Sequence, residues 1–242
     1  MTNLDVTILP NADDVASTVV AELVDLIQER SVAGADVHIS LTGGTVGNQI
    51  AKALLSDEGV RNCRSLHLWW SDERYVPVGH DDRNDLVLQD LLDGCLAKVH
   101  AVPGPDSSES VQGSAKAYAH ELHLATTTRF CATNTLMDVC VLGMGPDGHI
   151  ASLFPGSATL DATEGVVAVS DSPKPPPVRV TWTYSTINAS EQVWLVVTGA
   201  SKAAAAAQLQ AGASIEEIPA TGVHGKQLTR LILDAEAYNA PS

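Results

Sequence analysis

Short apolar runs alternate along the chain with stretches of helical spacing. Residues 6–9 form the first apolar run. Apolar positions then recur every three to four residues across 13–30, at Val15, Val19, Leu23, Leu26 and Ile27, which predicts an amphipathic helix. Residues 36–41 read as a strand and 46–55 as a helix. Residues 66–70 read as another strand, followed by helical stretches at 84–92 and 114–125. A nearly unbroken apolar strand covers 136–142. Short strand candidates follow at 166–169 and 178–181, then a strand at 193–197 and an Ala-rich helix at 202–209. Strands separated by helices pair in parallel through βαβ crossovers. The runs LHLWW, DVCVL and VWLVV scarcely alternate, as expected of strands covered on both faces. In a sheet of that kind ligands sit beyond the carboxyl ends of the strands. The polar, glycine-rich segments near 42–45, 72–74, 143–149 and 198–202 fall at those ends, so they are expected to converge on one cleft. The proline-rich segment 171–177 reads as a stiff loop within one domain.

Composition narrows the classes. The 242 residues are 45% hydrophobic and 18% charged, enough for a buried core and unlike a disordered or coiled-coil chain. Fourteen Lys and Arg stand against 29 Asp and Glu, a formal charge of −15. That field repels a polyanion, so nucleic acid is not an expected partner. A small anion is still compatible, because local cations dominate within a Debye length of roughly 8–10 Å. No apolar run reaches the roughly 18–20 residues of a membrane span, and the first residues, MTNLDVTILPNADD, lack the pattern of a signal peptide. Cys63, Cys95, Cys131 and Cys140 are scattered without metal-ligand spacing, which predicts reduced thiols in a cytoplasmic protein and no metal site.

Several segments carry candidate chemistry. Thr42-Gly43-Gly44-Thr45 links a strand to a helix. Its glycines permit close approach of a ligand, and the helix start offers unpaired N–H groups to a phosphate; the plainer reading is a tight turn with Thr45 as helix cap. Gly143-Met144-Gly145-Pro146-Asp147-Gly148 matches G-x-G-x-x-G after a strand. A dinucleotide fingerprint would also need a long helix and an acidic strand end about 20 residues on, and neither follows here. His149, beside Asp147 in this loop of small residues, is placed for proton transfer near neutrality. His120 and His123 lie three apart on a helix and read as a solvated face; His38 and His67 read as packed within strands. Asp72-Glu73-Arg74 ends a strand and suits either sugar and anion recognition or a structural ion cluster. Arg179 and Lys202 are scarce cations that suit a phosphate.

Taken together, LTGGT (41–45), WWSDERYVP (69–77), LGMGPDGHIASLFPG (142–156), SPKPPPVRVTWT (172–183) and WLVVTGASKA (194–203) resemble the 6-phosphogluconolactonase family, in the family's order and over most of the chain. The family belongs to a wider group with glucosamine-6-phosphate deaminase and ribose-5-phosphate isomerase. The resemblance implies a Rossmann-like α/β fold, a mostly parallel sheet with helices on both faces, in one domain over 1–242 with small additions. It implies hydrolysis of 6-phospho-D-glucono-1,5-lactone, a sugar-phosphate lactone, with no cofactor. His149 would be the general base, with Asp147, Asp72 and Arg74 completing the catalytic set. Gly43, Gly44, Thr45, Arg179 and Lys202 would take the phosphate. Backbone N–H groups near Gly44 or Gly145, or Arg74, would receive the developing oxyanion. The deaminase carries a similar Asp-Gly-His loop followed by a Phe-Asn-Glu-Pro type sequence, whose glutamate serves ring opening; here Ala151-Ser152-Leu153-Phe154-Pro155 holds no carboxylate. The family's first loop often reads Ser-Gly-Gly-Ser-Thr-Pro; Thr42-Gly43-Gly44-Thr45-Val46-Gly47 departs from it while keeping the glycines, so backbone N–H donation survives the change and the hydroxyl contributions differ. The remaining alternatives are a deaminase or isomerase of the same fold and a non-catalytic sugar-phosphate sensor.

Overall fold

Strands that are apolar on both faces must be covered on both, and the architecture follows from that need. The computed structural model describes residues 4–239. Its strands are β1 (Leu4–Leu9), β2 (Val37–Leu41), β3 (Leu66–Trp70), β4 (Asp72–Arg74), β5 (Lys98–Val99), β6 (Val139–Gly143), β7 (Val166–Val169), β8 (Arg179–Trp182), β9 (Gln192–Val197) and β10 (Leu228–Asp234). Its α-helices are α1 (Ala12–Val32), α2 (Gly44–Ser56), α3 (Glu58–Arg61), α4 (Val111–Thr133), α5 (Tyr184–Ile187), α6 (Ala203–Gln210) and α7 (Ala235–Tyr238). Seven strands form one parallel sheet in the order β1-β10-β9-β6-β2-β3-β5. The other three form a small antiparallel sheet, β4-β8-β7.

The period-two alternation of the central strands divides the core in two. In β9, Val193, Leu195 and Val197 face one side with Tyr118 and Leu122 of α4, Ala205 and Leu209 of α6 and Trp182 of the small sheet. Trp194 and Val196 face the other, with Val15, Val19, Leu23 and Ile27 of α1 and Ile50 and Leu54 of α2. Helix α1 starts where Asn11 accepts a hydrogen bond from the Asp14 amide and where Asp13 and Asp14 meet the positive end of the helix dipole. Beyond the short β5, the exposed edge of β3 is satisfied by Tyr118. Its hydroxyl accepts from the Trp70 amide at 3.0 Å and donates to the Trp70 carbonyl at 3.1 Å.

The expected parallel α/β sheet is present, with differences in detail. The stretch at 84–92 forms a 3₁₀ helix over Asp85–Leu91. Helix α4 runs far beyond 114–125, from the cap Ser110 to a left-handed Asn134. Helix α2 begins at Gly44 with Gly43 as its N-cap, so Thr45 lies inside the helix and is not the cap. Residues 72–74 are not simply a strand exit but a strand of the second sheet, a small addition to the parallel core. The pattern reading passed over β10, whose first half, Leu228-Thr229-Arg230, dilutes the apolar run. Segment 171–177 joins β7 to β8, which pair with each other, so it is a loop inside one sheet. Among the described residues no helix is long and apolar enough to cross a membrane.

Leu195 is fully buried at the middle of β9, between β6 and β10. Leu195→Ala is expected to lower unfolding free energy by about 2–5 kcal/mol in urea titrations; a loss below about 1 kcal/mol would contradict this placement of the core.

Candidate active site

The sheet order places β2 and β6 side by side, yet β2 leads through α2 to β3 on one side, and β6 is followed in the sheet by β9 on the other. The connections leave in opposite directions, which opens a crevice at the carboxyl ends of the two strands. The cleft found there is lined by residues 42–46, by Gly143, Met144 and Gly145, and by Thr198 and Lys202 after β9. Asp72 and Arg74 of β4, Arg179 of β8 and Asn84 complete its wall. All four polar segments singled out in the sequence therefore meet.

The loop after β6 doubles back on itself. The Gly148 amide donates to the Gly145 carbonyl at 3.0 Å, and the Gly145 amide donates to the His149 carbonyl at 2.8 Å. Gly148 has φ +76°, a left-handed conformation that glycine adopts without strain. The fold-back lays the His149 ring over Gly145, where a Cβ would stand 1.9 Å from His149 Nδ1 and 2.4 Å from Asp147 Oδ1. Only glycine permits that approach. It also occupies the Gly145 N–H, which removes Gly145 as an oxyanion donor.

His149 Nδ1 and Asp147 Oδ1 are 2.5 Å apart. The carboxylate can only accept, so Nδ1 carries the proton and Nε2 is the basic edge. Among the described residues Nε2 has no protein hydrogen-bond partner, and the ring borders the cleft. Phe154 stacks on the ring at a centroid distance of 4.6 Å. Burial holds the imidazole below its ordinary pKa, although Asp147 pulls the other way. Burial would raise Asp147, but the His149 hydrogen bond together with the charges of His149 and Lys174 and a backbone N–H hold that carboxylate below its usual value.

The remaining predicted residues are all here, in more constrained roles. Asp72 Oδ2 accepts from the buried Ser152 hydroxyl at 2.6 Å and lies 3.7 Å from an Arg179 nitrogen. Arg179 is buried and already donates to the carbonyls of Pro176, Lys174 and Pro175 at 2.9–3.1 Å. That leaves its Nη1 edge for the cleft. Arg74 donates to the Asp82 carbonyl at 2.6 Å. Lys202 donates to the Met144 carbonyl at 2.9 Å, holding an ammonium at the mouth of β6. The start of α2 has no side-chain cap, because Gly43 stands at the cap position. Its first N–H groups have no intrahelical partner and open onto the cleft. Gly43 must be glycine for a different reason: a Cβ would lie 1.9 Å from Asn84 Oδ1.

Sequence reasoning left two contributors without a role. Lys174 approaches Asp147 at 3.3 Å and His149 Nδ1 at 3.1 Å; a lysine locked between Ser172 and three prolines was the available signal. Asn84 is held by Glu73, whose buried carboxylate accepts from the amides of Arg74, Asn84 and Asp85 at 2.7–3.0 Å. Elsewhere His38 and His67 are packed in their strands, stacked at 4.3 Å, and His120 and His123 are exposed on α4.

Comparison with known proteins gives the family of the chain. The family model described as Glucosamine-6-phosphate isomerases/6-phosphogluconolactonase matches residues 10–232. The chain is 39% identical over 235 residues to a 6-phosphogluconolactonase of Mycobacterium tuberculosis, covering 95% of each. It is 37% identical over 231 residues to one of Streptomyces coelicolor, covering 92% of this chain and 88% of the relative. Among solved structures, the fold is similar to a 6-phosphogluconolactonase from Trypanosoma cruzi, with a TM-score of 0.84 at 23% identity over 97% of this chain and 96% of that one. It is also similar to a monomeric glucosamine-6-phosphate deaminase, with a TM-score of 0.74 at 19% identity over 97% and 98% of the two chains.

Burial, with Asp85 adding to it, pushes Glu73 up to about 7 from an ordinary 4.5. A carboxyl raised in the folded state binds its proton more tightly there than when unfolded. The stability it contributes is fully present below about pH 4.5 and is lost as pH rises through 7. Glu73→Gln cannot ionise, so its stability relative to wild type is expected to improve steadily from pH 5 to 7.5 in urea titrations. A constant difference across that range would show that the buried carboxyl does not titrate there.

Proposed function

The chain belongs to the family of glucosamine-6-phosphate isomerases and 6-phosphogluconolactonases, and from that premise we propose that it hydrolyses 6-phospho-D-glucono-1,5-lactone to 6-phosphogluconate with His149 as the base that activates water. The observation that carries the reading is the imidazole of His149, oriented through Nδ1 by Asp147 and open at Nε2 to a cleft whose far wall holds cations and a helix start. Identity of 39% to a 6-phosphogluconolactonase over 95% of the chain supports the same substrate.

An activated ester needs only an oriented water. Nε2 takes a proton from that water as its oxygen forms a bond to C1. Negative charge then gathers on the carbonyl oxygen, and the imidazolium is stabilised by Asp147. On collapse the bond between C1 and the ring oxygen breaks, and the imidazolium returns its proton to that oxygen. General-base assistance of this kind is worth typically 10²–10⁴-fold. With the Gly145 amide occupied, the oxyanion falls to the amides at the start of α2 near Gly44 or to Arg74. The phosphate is taken by Lys202, by the Nη1 edge of Arg179 and by the backbone of Gly43, Gly44 and Thr45.

The deaminase reading fares worse on a specific ground. The residues after His149 place Phe154 on the imidazole and bury Ser152 against Asp72, and no carboxylate replaces the glutamate that ring opening uses. Nucleic acid has no part in the reading, since the chain carries −15. The free thiols Cys63, Cys95, Cys131 and Cys140 support a reducing compartment such as the cytoplasm.

His149→Ala is expected to cut kcat at least a hundredfold in a lactonase assay corrected for spontaneous hydrolysis, with the circular dichroism spectrum unchanged. A loss under threefold would remove His149 as the base. Lys202→Met is expected to raise KM for the phosphorylated lactone about tenfold or more while leaving the unphosphorylated lactone nearly unaffected; equal effects on both would break the phosphate assignment.

A further inference from the structure

A base paired with a carboxylate faces a difficulty in this cleft. Asp147 and Asp72 both favour the charged imidazole, and a bound phosphate dianion would add to them. An imidazole already protonated at neutral pH accepts nothing from water. Burial already lowers the free imidazole; a cation that also offsets those anions, without displacing the Nδ1 hydrogen bond that fixes the tautomer, keeps it uncharged when phosphate is bound.

The proline-rich loop provides it. Ser172 donates from its amide to the Pro177 carbonyl at 3.0 Å and from its hydroxyl to the Lys174 carbonyl at 3.0 Å. Arg179 closes the loop from inside through Nε to Pro176 and Nη2 to Lys174 and Pro175. The clamp fixes the backbone from which the Lys174 side chain reaches across to the dyad. Its ammonium stands 3.3 Å from Asp147 Oδ1 and 3.1 Å from His149 Nδ1, and 6.0 Å from the centre of the Phe154 ring. A protonated Nδ1 cannot accept from it, so the ammonium donates to the carboxylate.

We propose that Lys174 is a positioning residue of the base: it shares the Asp147 carboxylate with His149 and keeps the imidazole uncharged, so that Nε2 is ready to take a proton. The proposal rests on the reading of His149 as the base. It also assigns Arg179 a second task, because the guanidinium that borders the phosphate end of the cleft builds the loop that presents Lys174. The charged groups around the imidazole come from every neighbouring element: Asp147 on its own loop, Asp72 and Arg74 on β4, Lys174 on the proline loop, Arg179 on β8 and Lys202 after β9. Lys174 is the cation in contact with the dyad, about one-third exposed at 38%, so salt is expected to weaken but not abolish its effect.

The test compares wild type, Lys174→Met and Lys174→Arg. It reads kcat/KM from pH 5.5 to 7.5 and the NMR titration of the His149 Cε1 resonance in the free enzyme. Loss of the ammonium should move the His149 midpoint to higher pH. The ratio of kcat/KM at pH 6 to that at pH 7.5 should then fall about three- to tenfold below wild type, with Lys174→Arg restoring it to within about twofold. Superimposed pH profiles with an unmoved NMR midpoint would overturn the proposal. So would a pH-independent rise in KM, which would make Lys174 a substrate ligand. If His149→Ala kept its activity the base assignment would fail, yet the NMR midpoint would still report whether Lys174 acts on His149, so the two failures are distinguishable.

Discussion

Everything in this molecule depends on the point where β2 and β6 run side by side and the chain leaves them in opposite directions. Parallel strands align their carboxyl ends, and the divergence of the connections keeps helices from filling the space between those ends. The Thr42 hydroxyl ties the two strand exits together by accepting from the Gly143 amide at 3.2 Å. From that seam the start of α2 opens on one side and the folded-back histidine loop on the other. The distance between the His149 ring and the start of α2 is thus set by strand spacing, which the core on both faces of the sheet holds rigid.

The small antiparallel sheet supplies the other wall. It carries Asp72, Arg74 and Arg179 on two paired strands, with Arg74 directly opposite Arg179. Two arginines in register repel, and the nearby acids offset them: Asp72 lies by Arg179, and Glu73 is buried beneath the backbone of Arg74. Glu73 then reaches on to hold Asn84, which fits against Gly43 at the cap of α2. A single buried carboxylate thereby links the arginine wall to the start of the helix. Burying it costs free energy, which its three N–H donors offset in part.

Charge shows the same division between the whole and the site. The chain carries −15, yet Arg74, Arg179 and Lys202 line its cleft and Lys174 touches the His149–Asp147 pair beside it, four of the 14 lysines and arginines. Burial and the nearness of Lys174 lower Lys202 below its ordinary pKa. That mutual repulsion is relieved when an anion enters, which favours a phosphorylated ligand over a neutral one.

The sequence alone was enough for the parallel α/β sheet, since LHLWW, DVCVL and VWLVV could not be half-exposed strands, and for the meeting of the polar segments at the strand ends. It singled out His149 and Asp147 as a histidine and an acid two residues apart in the loop after a buried strand, and the fold-back of that loop brings their side chains into hydrogen-bond contact. It could not decide the tasks of the cations. Arg179 reads as a phosphate ligand in one dimension, but the fold spends two of its nitrogens on the proline loop. Lys174 has no role legible in its sequence neighbourhood, yet the loop leading into β8 brings it to within hydrogen-bond distance of a residue 27 positions earlier. Helix and strand periodicity report which face of an element is buried, because burial depends on the element's own pattern. Which partner a long flexible cation meets depends on elements far apart in the chain, and only their packing determines that.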